Sequence, residues 1–156
     1  MFIIGIDPGA SGAVAILDDG VLIHVFDMPA VEIEVGGKKK KRISAEMLAA
    51  ELRLFADQGA VAVVEQVNAM PGQGVTSMFA FGQAYGLALG VLAGLAIPVR
   101  TVTPAKWKKD LQLNTGKDAA RARAAALWPA MAREFSRVKD DGKAESCLIA
   151  MWGRHN

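Results

Sequence analysis

Between Phe2 and Phe26 three short apolar runs follow one another, joined by turns too tight to hold a helical crossover. The first, residues 2–7, ends in Asp7-Pro8-Gly9-Ala10-Ser11-Gly12, and the second, residues 13–17, closes at Asp18-Asp19-Gly20. Gly20 accepts the positive φ that a hairpin turn requires. Residues 21–26 complete the set. Parallel strands need a crossover of a dozen or more residues, so connections this short force an antiparallel meander.

Downstream the pattern changes to alternating α and β. Residues 29–42 read as an irregular or weakly hairpinned excursion carrying the basic run Lys38-Lys39-Lys40-Lys41-Arg42. Ser44 then caps a helix whose Met47, Leu48, Leu52 and Phe55 share one face, and Gly59 stops it. Residues 60–64 are continuously apolar, as in a strand covered on both faces, and end at Glu65. A loop at 70–74 leads into a long helix reaching about Leu95, a fifth strand at 97–102, and helices around 104–111 and 117–128. The last helix starts near Asp141 and runs to Trp152. Three antiparallel strands followed by this alternation predict an α/β fold, a mixed five-stranded sheet flanked by helices, in one domain over residues 1–156.

Composition narrows the classes. Hydrophobic residues make up 52% of the chain, enough for a sizeable core, and 18 basic against 16 acidic residues leave a net charge of only +2. Distribution says more than the total, because the basic run and a second stretch with Lys106, Lys108 and Lys109 are the electrostatic footprint of a nucleic-acid binder. A solvated loop is the alternative for the run. The single cysteine, Cys147, excludes an internal disulfide and a cysteine-based zinc site. The first residues lack a charged segment leading into a long apolar one, which predicts a cytoplasmic protein without a signal peptide. From Gln66 to Val99 no residue is charged. That length would span a bilayer, but Thr76, Ser77 and Gln83 and the α/β surroundings predict a buried helix of a soluble domain and no membrane.

The acidic residues carry the chemistry. Asp7 and Glu65 each end an apolar strand, where a side chain points into the crevice beyond the sheet. Asp140, Asp141 and Glu145 gather at the start of the last helix, and Asp141 and Glu145, four apart, share a face. Carboxylates brought together repel and stay ionised most readily around a divalent cation, for which magnesium prefers hard oxygen ligands. Such a site can activate water for phosphodiester cleavage. Taken singly, each acid has a plainer explanation: a turn cap for Asp7, helix-dipole complementarity for the C-terminal pair. A buried, unpaired Glu65 is harder to account for that way.

Gly5-Ile6-Asp7-Pro8-Gly9 resembles the first motif of the RuvC-type Holliday-junction resolvases, within the ribonuclease H-like superfamily. Val64-Glu65-Gln66-Val67, the following Ala69-Met70-Pro71-Gly72-Gln73-Gly74-Val75, and Gly82-Gln83-Ala84-Tyr85-Gly86 resemble the second motif and its helix, chiefly in phage and organellar branches. Val102-Thr103-Pro104-Ala105-Lys106-Trp107-Lys108 and Asp140-Asp141-Gly142-Lys143-Ala144-Glu145-Ser146 complete the order. The resemblance implies a ribonuclease H-like fold, a homodimer, and resolution of four-way or other branched DNA with Mg²⁺, for which Mn²⁺ may substitute. It carries Asp7, Glu65, Asp141 and Glu145 over as metal ligands and catalytic acids, with Asp140 the alternative to Asp141. The third motif departs. Bacterial members commonly place two acids, or a histidine and an aspartate, three apart, whereas Gly142 stands three before Glu145 here. Their junction-wedging aromatic is also unmatched, since Asn68 occupies that region and any wedge falls to Met70 or another loop residue. Resemblance to the short branch points to a phage or a bacterial prophage, and so to the cytoplasm of a bacterial or phage-infected host cell.

Gly82, Gly86, Gly90 and Gly94 recur every fourth residue, each costing a helix roughly 1 kcal/mol relative to alanine. They serve close packing on the sheet or a dimer interface shared with Phe79 and Tyr85. Trp107 either stacks on DNA or anchors a short helix; Arg121, Arg123 and Arg133 read as solvated. A catalytically silent branched-DNA-binding module and another ribonuclease H-like nuclease are the competing functions. Acids at all three motif positions argue against the silent module.

Overall fold

The N-terminal runs pair as expected: β1 (Phe2–Asp7), β2 (Ala13–Asp18) and β3 (Val21–Asp27) form an antiparallel meander. The computed structural model describes residues 1–69, 72, 74–116 and 118–156. A second hairpin, β4 (Ala30–Val35) and β5 (Lys38–Ile43), follows. It leads into α1 (Ala45–Ala56), β6 (Val61–Glu65), α2 (Val75–Gly94), β7 (Val99–Val102), α3 (Pro104–Asp110) and α4 (Ala119–Leu127). Two 3₁₀ stretches, Pro129–Phe135 and Val138–Asp140, precede α5 (Asp141–His155). The main sheet has the order β3-β2-β1-β6-β7, with β6 parallel to both β1 and β7.

Helices cover both faces, so the central strands are apolar throughout. On one face Leu17, Val63, Trp107, Leu148 and Trp152 form a buried cluster; on the other, Ile4, Ile6, Val64, Leu48, Leu52 and Leu92 form a second. Ser44 caps α1 by accepting from the Met47 N–H at 3.3 Å, and Leu48 and Leu52 bury its inner face. Met47, expected on that face, is 49% exposed.

Helix α5 lies directly on the central strand. A Cβ on Gly5 would collide with the Ser146 carbonyl oxygen and with Ala150, and one on Gly153 with Val63. The bare glycine backbones thus let helix and strand approach more closely than side chains would permit. The Arg100 guanidinium donates to the Gly153 carbonyl at 2.6 Å, satisfying one of the orphan acceptors at the helix C-terminus.

Two expectations are corrected. Of the two readings of residues 29–42 the hairpin holds and the irregular one does not, so the basic run is not a loop. Gly36 and Gly37, at φ 59° and 72°, make the two-residue turn that joins β4 to β5, and Lys38 to Arg42 lie within β5. Pairing sets Glu32 opposite Lys41 and Glu34 opposite Lys39, so opposite charges relieve the repulsion on one face. On the other, Val31, Ile33 and Val35 alternate with Arg42, Lys40 and Lys38. The second correction concerns α2. It is long and apolar enough to cross a membrane, yet it packs on the sheet through Ala84, Ala88 and Leu92 and is not buried all round. Its glycines do not serve that contact: a Cβ on Gly82, Gly86, Gly90 or Gly94 would meet nothing within 4 Å.

Candidate active site

The parallel pairing of β1 with β6 brings their C-terminal ends side by side, and with them Asp7 and Glu65. Helix α5 crosses above β1 and delivers Glu145. Gly142, one turn earlier, sits against the first acid: a Cβ there would stand 3.1 Å from Asp7 Oδ2 and 3.0 Å from the Ser11 carbonyl. A side chain three before Glu145 would therefore press on the Asp7 carboxylate and the Ser11 carbonyl unless they gave way by a few tenths of an ångström.

Helix α3 supplies the donors. Thr103 caps it, accepting from the Lys106 N–H at 3.3 Å, and Pro104 starts its first turn, which fixes α3 immediately after β7. Trp107 is completely buried, and its Nε1–H donates to Glu65 Oε2 at 2.6 Å. Lys108 Nζ donates to Glu145 Oε1 at 2.8 Å and lies 5.0 Å above the Trp107 ring. Trp107 is thus a core anchor, as one sequence reading had it, and also orients a site carboxylate.

These acids lie within one another's electrostatic field. Burial, then the neighbouring Glu145 and Glu65 carboxylates, push Asp7 up to about 8, against the partial relief of Lys108. Burial also raises Glu65, while the Trp107 hydrogen bond pulls it back. Burial lowers Lys108, but its hydrogen bond to Glu145 and the charges of Glu145, Glu65 and Asp7 outweigh that and leave it raised. The ammonium of Lys108 is thus the positive charge set among three carboxylates.

The other acids stand apart. Asp140 is 1% exposed and turned into Arg137, which holds it by side chain and by the backbone N–H at 2.9 Å. Arg137, followed by burial in the opposite sense, leaves Asp140 well below the ordinary carboxylate range. Asp141 receives the Arg121 Nε–H at 2.7 Å, and Arg121 also pairs with Asp118. Arg121 is 12% exposed, so it is no ordinary solvated residue. Asp141 and Glu145 do line one polar cleft of about 410 Å³ with Lys108, Asn114 and Thr115. Of the remaining cations, Lys106 pairs with Asp110 at 2.8 Å, while Lys109 lies exposed on α3. Asn68 is exposed; Met70 and Lys117 lie outside the described residues.

Among the described residues no group of three or more histidine, cysteine, aspartate or glutamate side chains closes into a preformed metal cage. The donor chemistry still suits a hard divalent ion. Three oxygen-bearing acids crowd together, one so strained electrostatically that it holds its proton near neutrality, and a cation already compensates them.

No family model matches the chain. Over 91 residues it is 35% identical to the chloroplastic Holliday junction resolvase MOC1 of Chlamydomonas reinhardtii, a match covering 57% of this chain and 10% of that protein. The chain thus spans about a tenth of the curated relative's length. Among solved structures, RuvC of Thermus thermophilus in complex with a Holliday junction substrate superposes with a TM-score of 0.63 at 16% identity, covering 100% of this chain and 96% of that one. A second Thermus thermophilus RuvC structure gives 0.53 at 17% identity over 99% and 96%. At such identities the likeness shows the fold: the mixed five-stranded sheet flanked by helices is that of RuvC, a ribonuclease H-like fold.

Proposed function

We propose that the chain is a structure-specific DNA endonuclease that resolves Holliday junctions or other branched DNA by metal-dependent phosphodiester hydrolysis. The observation that carries this reading is the convergence of Asp7, Glu65 and Glu145 at the C-terminal edge of a RuvC-like sheet. The resemblance of the surrounding motifs and the MOC1 match support it. Asp7, Glu65 and Glu145 would hold Mg²⁺, or Mn²⁺ in its place, and Asp141 joins them if it leaves Arg121. When bound, such ions supply an activated water and charge stabilisation for the leaving oxygen.

The chain's own residues do the rest. Trp107 fixes the rotamer of Glu65 from a completely buried ring. Lys108 keeps Glu145 turned toward the cluster and, released from it, is placed to meet a phosphate. Lys106, Lys109 and the cations of β5 contribute sequence-independent attraction. We assign dimerisation to the outward face of α2, where Gly82, Gly86 and Gly90 leave the helix backbone open to a second copy; Phe79, which the sequence placed beside them, lines the cleft under the β4–β5 hairpin instead. Tyr85 is half-buried against the sheet cluster and contributes less to that interface. A two-fold dimer suits a near two-fold substrate needing two cuts. In this reading it is this ribonuclease H-like domain that works on DNA.

The test is cleavage of labelled four-way junction, fork, RNA–DNA hybrid and linear duplex side by side, with Mg²⁺, Mn²⁺ or chelator, by the wild type and Glu65→Gln. Metal-dependent cutting of the branched substrates, lost in Glu65→Gln while binding persists, is expected. Equal cutting of hybrid and junction would assign another nuclease activity. No cutting by the wild type with any metal would leave only a binding module.

A further inference from the structure

Between the β4–β5 hairpin and the first half of α2 runs a cleft of about 570 Å³. Its walls combine two chemistries. Ile33, Phe79 and Phe81 give it an apolar, aromatic lining; Lys40 and Arg42 on the hairpin and Gln83 on the helix give it a polar rim. Phe79 is 72% exposed and Phe81 38%, a large apolar surface for positions on a soluble domain. The cleft borders the loop that follows Asp7: Ala10 lines it, and a Cβ on Gly9 would stand 3.1 Å from the Phe81 ring.

Resting on the reading that DNA is the substrate, we infer that this cleft takes one or two unpaired nucleotides of a strand leaving the branch point. Its volume falls in the range of pockets for small ligands, roughly 300–1,000 Å³, and is too small for a duplex. A duplex also presents phosphates, which gain nothing from a phenylalanine face. An unstacked base offers a π-face to Phe79 or Phe81, while Lys40 and Arg42 neutralise the phosphates on either side. A second copy of this chain fits less well. A two-fold contact centred on the cleft would bring Lys40 and Arg42 toward their own equivalents, like charge against like.

The experiment compares Phe79→Ala and the double variant Lys40→Ala/Arg42→Ala with the wild type, each also in the cleavage-blind Asp7→Asn background. The probes are a fluorescein-labelled oligothymidylate of about eight residues and a linear duplex. A junction carrying a fluorescent adenine analogue beside the branch point is the third. All three positions are solvent-facing, and circular dichroism checks the fold. Phe79→Ala should weaken oligothymidylate binding about tenfold with an unchanged salt slope and leave duplex binding within about twofold. The double variant should weaken it and flatten the salt slope. The analogue should change its fluorescence on binding Asp7→Asn, and less so when Phe79→Ala is added. Wild-type oligothymidylate binding by both variants overturns the inference, even if branched DNA is cut in an Asp7-dependent way. Loss of affinity that only follows dissociation of Phe79→Ala into monomers, by light scattering, also overturns it, because the ring then belongs to a subunit contact. If no branched DNA is cut but oligothymidylate binding still depends on Phe79 and Arg42, the nuclease reading fails and the cleft stands.

Discussion

Asp7→Asn should stabilise the metal-free protein, and the gain should grow with pH. In the unfolded chain the Asp7 carboxyl titrates near 3.8, whereas in the folded protein burial and the two neighbouring acids carry it to about 8. Below the lower value both states are protonated, and Asp7 does not affect the balance. Between the two, the unfolded chain releases its proton while the native state keeps it, so stability falls as pH rises; above about 8 the loss is complete. At 1.36 kcal/mol per unit the ceiling is about 6 kcal/mol. Asp7 is not wholly shut off from solvent, which cuts this to about 3 kcal/mol. An amide left with one group unpaired returns about 1 kcal/mol. A net of about 2 kcal/mol is a rise of roughly 4–8 °C in Tm for a chain of this size. Thermal melts in chelator from pH 4 to 9 should show wild type and Asp7→Asn diverging as pH rises. Saturating Mg²⁺ should then close the gap by stabilising only the wild type. Parallel curves, or a less stable Asp7→Asn at pH 8, would refute the crowding of charge around Asp7.

Trp107→Phe removes the hydrogen bond to Glu65 and little volume. It should cost about 1.5–3 kcal/mol in denaturant unfolding and lower junction cleavage more than junction binding; an unchanged cleavage rate would show that Glu65 needs no positioning. Gly86→Leu meets no neighbour within the chain and relieves a helix-propensity cost of roughly 1 kcal/mol, so it should raise the melting temperature of a dilute sample slightly while light scattering reports a shift from dimer to monomer. A wild type that is already monomeric while making paired cuts would exclude the α2 interface. Replacing Lys38, Lys39, Lys40 and Lys41 with alanine should weaken junction binding across sequences and flatten its salt dependence, by less than four contacts because Glu32 and Glu34 already offset two of them. Wild-type affinity with an unchanged slope would make the run a hairpin edge and nothing more.

The sheet was legible because β1, β2 and β6 are continuous apolar runs up to their terminal acids, and the tight turns at Gly12 and Gly20 leave no other connection for the first three strands. The hairpin carrying the lysines was harder, since its outer strand has no apolar residue before Ile43. Its signal was the Gly36-Gly37 pair following the alternation of Val31, Ile33 and Val35, which a count of lysines conceals. Asp7, Glu65 and Glu145 could be picked out from strand and helix ends. The contacts between them could not, because Trp107 to Glu65 spans β6 to α3 and Lys108 to Glu145 spans α3 to α5. Asp140 and Asp141 look equivalent in sequence. They differ in burial and in which arginine reaches each: Asp140 is buried and held by Arg137 through local geometry, whereas Asp141 is half-exposed and met by Arg121 from another helix.

Gly5 carries no chemistry, yet it acts as the gauge of this site. By letting α5 rest on β1, backbone against backbone, it fixes how far Glu145 stands from Asp7. Even one added methyl group has nowhere to go but into the helix, and lifting that helix moves one acid while its two companions stay on their strands. Displacements near 1 Å are enough to cost a reaction about a hundredfold. A Gly5→Ala chain would keep every acid and donor in its inventory and still hold them at the wrong spacing.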